Sequence, residues 1–148
     1  MLLQDKVVVV AGVGSGLGRA IALASAREGA DVVLAARTAP RLDDVAKEVT
    51  ALGRRGLAVP ADLTDAEAAA HLAEAAHEGF GRIDALVYNA LAMPPIKDLV
   101  SVDLGAIGAG FDANVVAALR LTRLFTSAPR RNDRFTLRPS GVRPASRV

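Results

Sequence analysis

A glycine-rich segment near the N-terminus carries the clearest chemical signal in the sequence. It reads Ala11-Gly12-Val13-Gly14-Ser15-Gly16-Leu17-Gly18 and stands between an apolar run and an amphipathic one. Residues without a Cβ atom let the backbone turn sharply and approach a ligand, and a helix N-terminus offers free N–H groups to phosphate. The segment therefore predicts a site for a phosphate-bearing ligand, unless the turn has only a structural role.

The spacing of the glycines narrows the class of ligand. Gly12, Gly16 and Gly18 fit the pattern G-x-x-x-G-x-G, whereas the pattern G-x-G-x-x-G fails at Leu17. No Gly-Lys-Ser or Gly-Lys-Thr closes the segment, which excludes the Walker-type phosphate loop. A glycine turn between a strand and a helix predicts dinucleotide binding. The predicted contacts in this segment are Gly12, Gly14, Ser15, Gly16, Leu17 and Gly18.

Other polar residues are weaker candidates for chemistry. His71 and His77 are six residues apart on one predicted helix, which places them on different faces and argues against a shared metal ion. Asp98, Ser101 and Asp103 precede a longer predicted helix, where they either line a substrate pocket or cap the helix. We therefore predict no metal site.

The elements that position the glycine segment follow from the apolar pattern. Four short apolar runs predict strands at Val7–Ala11, Val32–Ala36, Leu57–Val59 and Ile83–Tyr88. Apolar residues at helical spacing predict helices at Gly16–Arg27, from Pro40 to Leu52, from about Asp65 to His77, and at Leu104–Thr126. The third helix opens with Thr64-Asp65-Ala66-Glu67, which has the form of a capping box.

This alternation predicts the α/β class. Continuous apolar strands are typical of a parallel sheet covered by helices on both faces, so we expect a Rossmann-like doubly wound parallel sheet. The apolar pattern ends after about four strands, apart from a weak alternating run at Arg134–Leu137. We therefore expect a truncated sheet whose unpaired edge causes low stability or self-association.

The composition excludes several classes of protein. The chain has 148 residues, of which 51% are hydrophobic, and this is enough for one domain with a core. The absence of cysteine excludes disulfides, thiolate zinc sites and cysteine nucleophiles. The first apolar run is too short for a membrane span and lacks the basic flank of a signal peptide, so we expect a cytoplasmic protein with no membrane partner.

Charge divides the chain into two parts. Residues 127–148 hold six Arg and one Asp, whereas residues 1–126 hold 12 basic and 15 acidic residues. We expect a dinucleotide-binding domain over residues 1–126 and a basic, proline-rich, disordered tail over 127–148. The tail is either an arm that binds nucleic acid, a plain surface tail, or the out-of-frame product of a GC-rich gene, which we favour. Aromatic residues are only 3%, which disfavours nucleic acid as a partner.

Four motifs in order resemble the short-chain dehydrogenase/reductase family over Lys6 to about Thr126. The glycine turn matches Thr-Gly-x-x-x-Gly-x-Gly except that Ala11 replaces Thr. Asp62-Leu63 is similar to the pair that contacts adenine in the family, and Tyr88-Asn89-Ala90-Leu91 keeps Asn89 and Ala90 of the motif Asn-Asn-Ala-Gly. Asn114 falls where the family carries the Asn of its catalytic tetrad. The resemblance implies a nicotinamide cofactor, an alcohol or carbonyl substrate, and a homo-oligomer for an intact relative.

The end of the second predicted strand bears on the choice of cofactor. In dinucleotide-binding folds, an acidic residue at this position accepts a hydrogen bond from the ribose of NAD, and a cation accommodates the 2′-phosphate of NADP. Here the strand ends with Ala35-Ala36-Arg37. Arg37 therefore favours NADP, with NAD as the alternative. The alternatives for the basic residues are that Arg37 is a solvated loop residue, and that Arg41 either assists it or is a surface charge.

The remaining catalytic residues of the family are missing. The resemblance implies a Ser and a Tyr-x-x-x-Lys, but the only tyrosine is Tyr88, with Ala92 four residues on. The three lysines, Lys6, Lys47 and Lys97, all lie upstream of where the motif belongs. We therefore expect an oxidoreductase of this family that is inactive as this chain. The alternatives are a catalytically silent dinucleotide-binding module and, in last place, a basic-tailed nucleic-acid binder.

Overall fold

The computed structural model describes residues 1–93 and 97–127, and it confirms the predicted α/β class. Strands and helices alternate along the described chain. The strands are β1 (Val7–Ala11), β2 (Asp31–Ala36), β3 (Gly56–Pro60) and β4 (Ala85–Tyr88). The α-helices are α1 (Leu17–Arg27), α2 (Ala39–Ala51), α3 (Ala66–Phe80), α4 (Leu104–Phe111) and α5 (Ala117–Ser127), with a 3-10 turn at Leu99–Ser101. The weak strand predicted at residues 134–137 and residues 128–148 of the tail predicted over 127–148 lie outside the described residues. The first residue of that predicted tail, Ser127, is instead the last residue of α5.

The four strands form one parallel sheet in the order β3-β2-β1-β4. Val9 of β1 pairs with Val33 on one side and with Leu86 on the other, so β1 is central. Successive side chains of a strand point to opposite faces, and both faces are covered by helices. This explains why β1 and β2 are apolar at almost every position, as the sequence predicted.

Two apolar clusters cover the two faces of the sheet. Val7, Val9 and Val33 pack on one face with the helices α3 and α5, which contribute Leu72 and Leu121. Val8, Val10, Val32 and Leu34 alternate with them on the other face, against the helices α1 and α2. Within the described residues the sheet ends at β4, so its outer edge has no strand beside it.

The start of α3 corrects one prediction. The capping-box pattern predicts Thr64 as the cap, but Asp65 takes that position, and its carboxylate accepts from the N–H groups of Glu67 at 2.7 Å and Ala68 at 3.1 Å. The Thr64 hydroxyl instead donates to the Asp62 carboxylate at 2.7 Å. A nearer acceptor for the hydroxyl and a stronger cap from the next residue explain the shift of one position.

The long C-terminal helix is interrupted by a π-turn. The predicted helix Leu104–Thr126 is present, but Asp112–Val116 forms one turn of π-helix between α4 and α5. This segment is the π-turn. Ala113 and Asn114 in this turn both bond to the segment that ends β4 and follows it. The whole stretch Leu104–Ser127 is long and apolar enough to cross a membrane by length and composition, a test that core helices of soluble proteins also pass.

An ion cluster lies at the opposite end of the strands from the glycine turn. Asp31, at the start of β2, is buried, and its carboxylate accepts from the backbone N–H of Arg55 at 3.0 Å and from the Arg55 Nε at 2.8 Å. The Arg54 guanidinium lies 3.1 Å from the same carboxylate. Burial raises the pKa of Asp31, but the bonds and charges of the two arginines outweigh it and hold the pKa below its ordinary value.

Candidate dinucleotide site

The glycine turn connects β1 to α1 at the carboxyl edge of the sheet. The backbone N–H groups of Gly12 and Val13 both donate to the Ala35 carbonyl, at 2.8 and 3.0 Å, which ties the turn to β2. On the other side, the Asn89 N–H donates to the Ala11 carbonyl at 2.7 Å, and the Asn89 side chain donates to the Gly12 carbonyl at 2.9 Å. Two neighbouring strands therefore fix the position of the turn.

Two of the glycines are required by the packing of the protein itself. Gly12 has a φ of +100°, and a Cβ atom there would lie 2.3 Å from the backbone nitrogen of Ala90. A Cβ atom on Gly18 would lie 2.4 Å from the Gly12 carbonyl oxygen. Any larger residue would push α1 or β4 away from the turn. Glycine at these two positions therefore allows α1 and the end of β4 to approach the turn closely.

The other two glycines face open space. A Cβ atom on Gly14 or Gly16 would meet nothing within 4 Å. Gly16 precedes α1, no side chain of the described residues caps this helix, and its first turn contains no acidic residue. Ser15 and Leu17 are exposed beside it. The backbone N–H groups at the start of α1 are therefore accessible, and the space in front of them suits an anionic group such as a pyrophosphate.

The ends of β2 and β3 place two charged residues at the same edge. Arg37 follows β2 and Asp62 follows β3, and both are exposed. The Asp62 carboxylate accepts from the hydroxyl and the N–H of Thr64, at 2.7 and 3.0 Å. These bonds, together with the smaller effect of the Arg37 charge, hold the pKa of Asp62 below its ordinary value. Leu63 is buried in the core beneath β3, so its side chain does not face the edge.

The end of β4 and the π-turn supply the last part of the site. Asn114, the predicted catalytic residue, lies in the π-turn, and its carboxamide accepts from the Ala92 N–H at 2.8 Å and donates to the Ala92 carbonyl at 2.7 Å. Its side chain is thus bonded on both sides to the segment that follows β4. The same segment contains Asn89 and the Ala90 backbone, which contact Gly12.

The structure also explains several candidates that lie elsewhere. The Asp103 carboxylate accepts from the Gly105 N–H at 2.9 Å, which is a helix cap, and Ser101 donates to the Asp98 carbonyl at 3.1 Å. Within residues 1–93 and 97–127, no group of three or more His, Asp or Glu residues is placed to hold a metal ion.

Sequence reasoning missed two residues that support this site. Thr64 fixes the Asp62 carboxylate, and Tyr88 donates from its hydroxyl to the Ala113 carbonyl in the π-turn. The signal for Thr64 was available, since an aspartate followed two residues later by threonine is a common turn. No local pattern links Tyr88 to Ala113, because the two residues are 25 positions apart.

Sequence comparisons agree with this geometry. The profile of the short chain dehydrogenase family matches residues 6–133. An uncharacterized oxidoreductase of Mycobacterium tuberculosis is 45% identical over 120 residues, which are 81% of this chain and 45% of that relative. A 1-deoxy-11-beta-hydroxypentalenate dehydrogenase of Streptomyces exfoliatus is 38% identical over 126 residues, which are 84% of this chain and 46% of that relative. The chain therefore spans about half the length of these curated relatives.

The fold is also similar to solved structures of short-chain dehydrogenases. A mutant of a Serratia marcescens short-chain dehydrogenase/reductase superposes with a TM-score of 0.80 at 30% identity, covering 86% of this chain and 52% of that one. Four parallel strands with flanking helices define a Rossmann-like α/β protein. The family match over residues 6–133 then shows that the chain belongs to the short-chain dehydrogenase family, as its motifs predicted.

Proposed function

We propose that this chain binds NADP(H) as the cofactor-binding part of an oxidoreductase that interconverts an alcohol and a carbonyl compound. Family membership implies a nicotinamide dinucleotide and a small-molecule substrate. The observation that carries the proposal is the division of the glycines: Gly12 and Gly18 are enforced by packing, whereas Gly14 and Gly16 leave open space before an uncapped helix. Packing gives no reason for glycine at positions 14 and 16, whereas a pyrophosphate bound close to the backbone does.

Each part of the carboxyl edge has a separate role in this proposal. The N–H groups at the start of α1 hold the pyrophosphate, while the Arg37 guanidinium pairs with the 2′-phosphate and thereby favours NADP over NAD. Asp62, kept ionised by Thr64, contacts the adenine, with the backbone of Leu63 beside it. Asn89 and Ala90 support the glycine turn on the side of β4. The cofactor, when bound, supplies the hydride.

We propose further that this chain binds the cofactor without turning over a substrate. Hydride transfer to a carbonyl needs a proton donor at the oxygen. Of the family's tetrad the chain keeps Asn114, and the single tyrosine, Tyr88, has no lysine four residues on. The Tyr88 hydroxyl is moreover bonded to a backbone carbonyl, and burial raises its pKa, with a further contribution from the Asp62 charge. The second candidate function is therefore a silent dinucleotide-binding module, and NADPH binding without reduction of a carbonyl compound would distinguish it from an active oxidoreductase.

Three further parts of the proposal concern the setting of the protein. We propose a homo-oligomer, supported by the exposed apolar residues Leu104, Phe111 and Leu119 of α4 and α5. A cytoplasmic location and a disordered tail over residues 127–148 stay predictions from the sequence.

Cofactor binding is tested by placing a methyl group in the open space. We expect the unmodified chain to bind NADPH and Gly16→Ala to bind it at least about tenfold more weakly, because the Cβ atom occupies ligand space and displaces no protein atom. The fluorescence of NADPH on titration measures this. Gly108→Ala is the matched control, since its Cβ atom also meets nothing within 4 Å but lies in α4, away from the turn. Equal affinity in all three proteins would contradict the proposal.

A further inference from the structure

The π-turn changes the backbone bonding of one particular carbonyl. In an α-helix the Ala117 N–H would donate to the Ala113 carbonyl, four residues earlier. In this helix the Ala117 N–H donates to Asp112, five residues earlier. The Ala113 carbonyl therefore loses its ordinary helical partner at the position where the helix faces the end of β4.

The Tyr88 hydroxyl takes the place of that partner. It donates to the Ala113 carbonyl, and the tyrosine ring is half-buried against the apolar cluster formed with α3 and α5. Burial raises the pKa of Tyr88, so the hydroxyl keeps its proton and stays a donor at neutral pH. A hydroxyl that donates to this partly buried carbonyl stabilises the π-turn, because it replaces the bond that the Ala117 N–H would make in a regular α-helical turn.

The next residue of the π-turn makes a second connection to the same segment. Asn114 bonds through both ends of its carboxamide to the backbone of Ala92, whereas Tyr88 is the last residue of β4. The π-turn is thus attached at both ends of the segment from Tyr88 to Ala92. Between these attachments lie Asn89 and Ala90, which contact the glycine turn.

We infer that Tyr88 is a positioning residue: its hydroxyl keeps the π-turn in register, and the π-turn holds Asn114 and the segment Asn89–Ala92 against the cofactor turn. Without the hydroxyl, the turn relaxes toward α-helical register, which rotates Asn114 away from Ala92. The consequence for the cofactor rests on the proposed function, whereas the consequence for Asn114 does not.

The test removes the hydroxyl alone in the full chain. Tyr88→Phe keeps the ring, and Thr122→Val is the matched control, because it removes a hydroxyl that donates to the Ala118 carbonyl at 2.8 Å on the same helix, outside the π-turn. The first measurement is hydrogen exchange of the Asn114 side-chain amide by nuclear magnetic resonance. The chain has three Asn and one Gln, so these signals are few and separable. The second measurement is NADPH affinity.

For Tyr88→Phe we expect exchange of the Asn114 amide to accelerate at least about fivefold, the factor that one lost hydrogen bond represents. NADPH affinity should fall about two- to fivefold, because the lost hydrogen bond, about 0.5–1 kcal/mol, no longer supports the arrangement that binds the cofactor. Thr122→Val should change neither. Unchanged exchange in Tyr88→Phe would overturn the inference, and faster exchange with unchanged NADPH affinity would overturn its link to the cofactor turn. If the unmodified chain binds no NADPH, the proposed function fails, and the exchange measurement still decides whether Tyr88 holds Asn114.

Discussion

Arg37 determines cofactor preference in the function proposed for this chain. It is exposed at the end of β2, and no acidic residue occupies the neighbouring position Ala36. We expect Arg37→Asp to weaken NADPH binding by about ten- to hundredfold, the range for lost bonds to a charged group, and to strengthen NADH binding relative to it. Titration of both cofactors measures the ratio of the two affinities.

The same change at Arg41 compares the two arginines and tests the role of Arg41. It lies in the first turn of α2 and is also exposed. A loss of NADPH affinity in Arg41→Asp comparable to that in Arg37→Asp would show that both arginines bind the phosphate, whereas an unchanged affinity would make Arg41 a surface charge. An unaltered preference in Arg37→Asp would refute the role given to Arg37.

The sequence predicts which residues belong to this candidate site better than it predicts the hydrogen bonds between them. The glycine spacing, Asp62, Asn89 and Asn114 were all visible in the sequence, and the structure brings them to one edge of the sheet. The positions of their bonds were not visible, since they depend on which strands become neighbours. Leu63 illustrates this limit of prediction from sequence. The motif Asp62-Leu63 predicts that Leu63 lies in the site, but in the fold its side chain is buried in the core.

At the scale of elements, the strands were the most predictable feature. Runs such as Val7–Ala11 are buried on both faces, and their apolar pattern carries that information directly. The π-turn at Asp112–Val116 was not predictable, because one extra residue leaves the apolar spacing on either side intact. We attribute it to tertiary contacts, since the Tyr88 hydroxyl donates to the Ala113 carbonyl and the Asn114 carboxamide accepts from the Ala92 N–H.

The start of β2 depends on one buried carboxylate. We expect Asp31→Asn to lower the free energy of unfolding at pH 7 by about 2 kcal/mol, because the charged hydrogen bond from Arg55 and the ion pair with Arg54 are weakened. The pKa of Asp31 is lowered in the folded chain, so this contribution is present above the ordinary pKa of 3.8 and is lost as the pH falls through the lowered value. The difference between the two proteins should therefore shrink in acid.

Urea unfolding at pH 7 and at pH 3 measures that difference. Asp44→Asn is the matched control, because Asp44 is exposed and its pair with Lys47, at 3.5 Å, is solvated on both sides. We expect less than about 0.5 kcal/mol for the control at either pH. A destabilisation in Asp31→Asn that is the same at both values of pH would mean that the charge of Asp31 is not what stabilises β2.

At the scale of the whole molecule, the described residues present a large exposed apolar surface. Exposed apolar side chains recur at spacings of three and four along α4, the π-turn and α5: Leu104, Ile107, Phe111, Val115 and Leu119. Leu104 is 77% exposed, Phe111 58% and Leu119 61%. A groove of about 1030 Å³ between α3 and α5 adds further apolar surface. Exposed apolar residues at helical spacing are typical of a helix face that packs against a partner.

We therefore expect the chain to self-associate through this helical surface. Phe111→Lys should raise the dissociation constant at least about tenfold, because it places a charge in the centre of the patch. Sedimentation velocity at several concentrations measures this. Leu52→Lys is the control, since Leu52 is also an exposed apolar residue but lies at the end of α2. A monomer whose behaviour does not change on dilution would contradict the expectation.

The strand order has a consequence for how the molecule forms. Val9 pairs with Val33, which is close to it in the sequence, and with Leu86, which is much farther along the chain. The contacts of β1 with β2 therefore have a small sequence separation and those with β4 a large one. Distant pairings close large loops and are slow to form. Asn89 and Ala90, which support the glycine turn from behind, follow β4 in the chain. A nascent chain can thus assemble β1, α1, β2, α2 and β3 during synthesis, and its cofactor turn gains full support only when the fourth strand arrives.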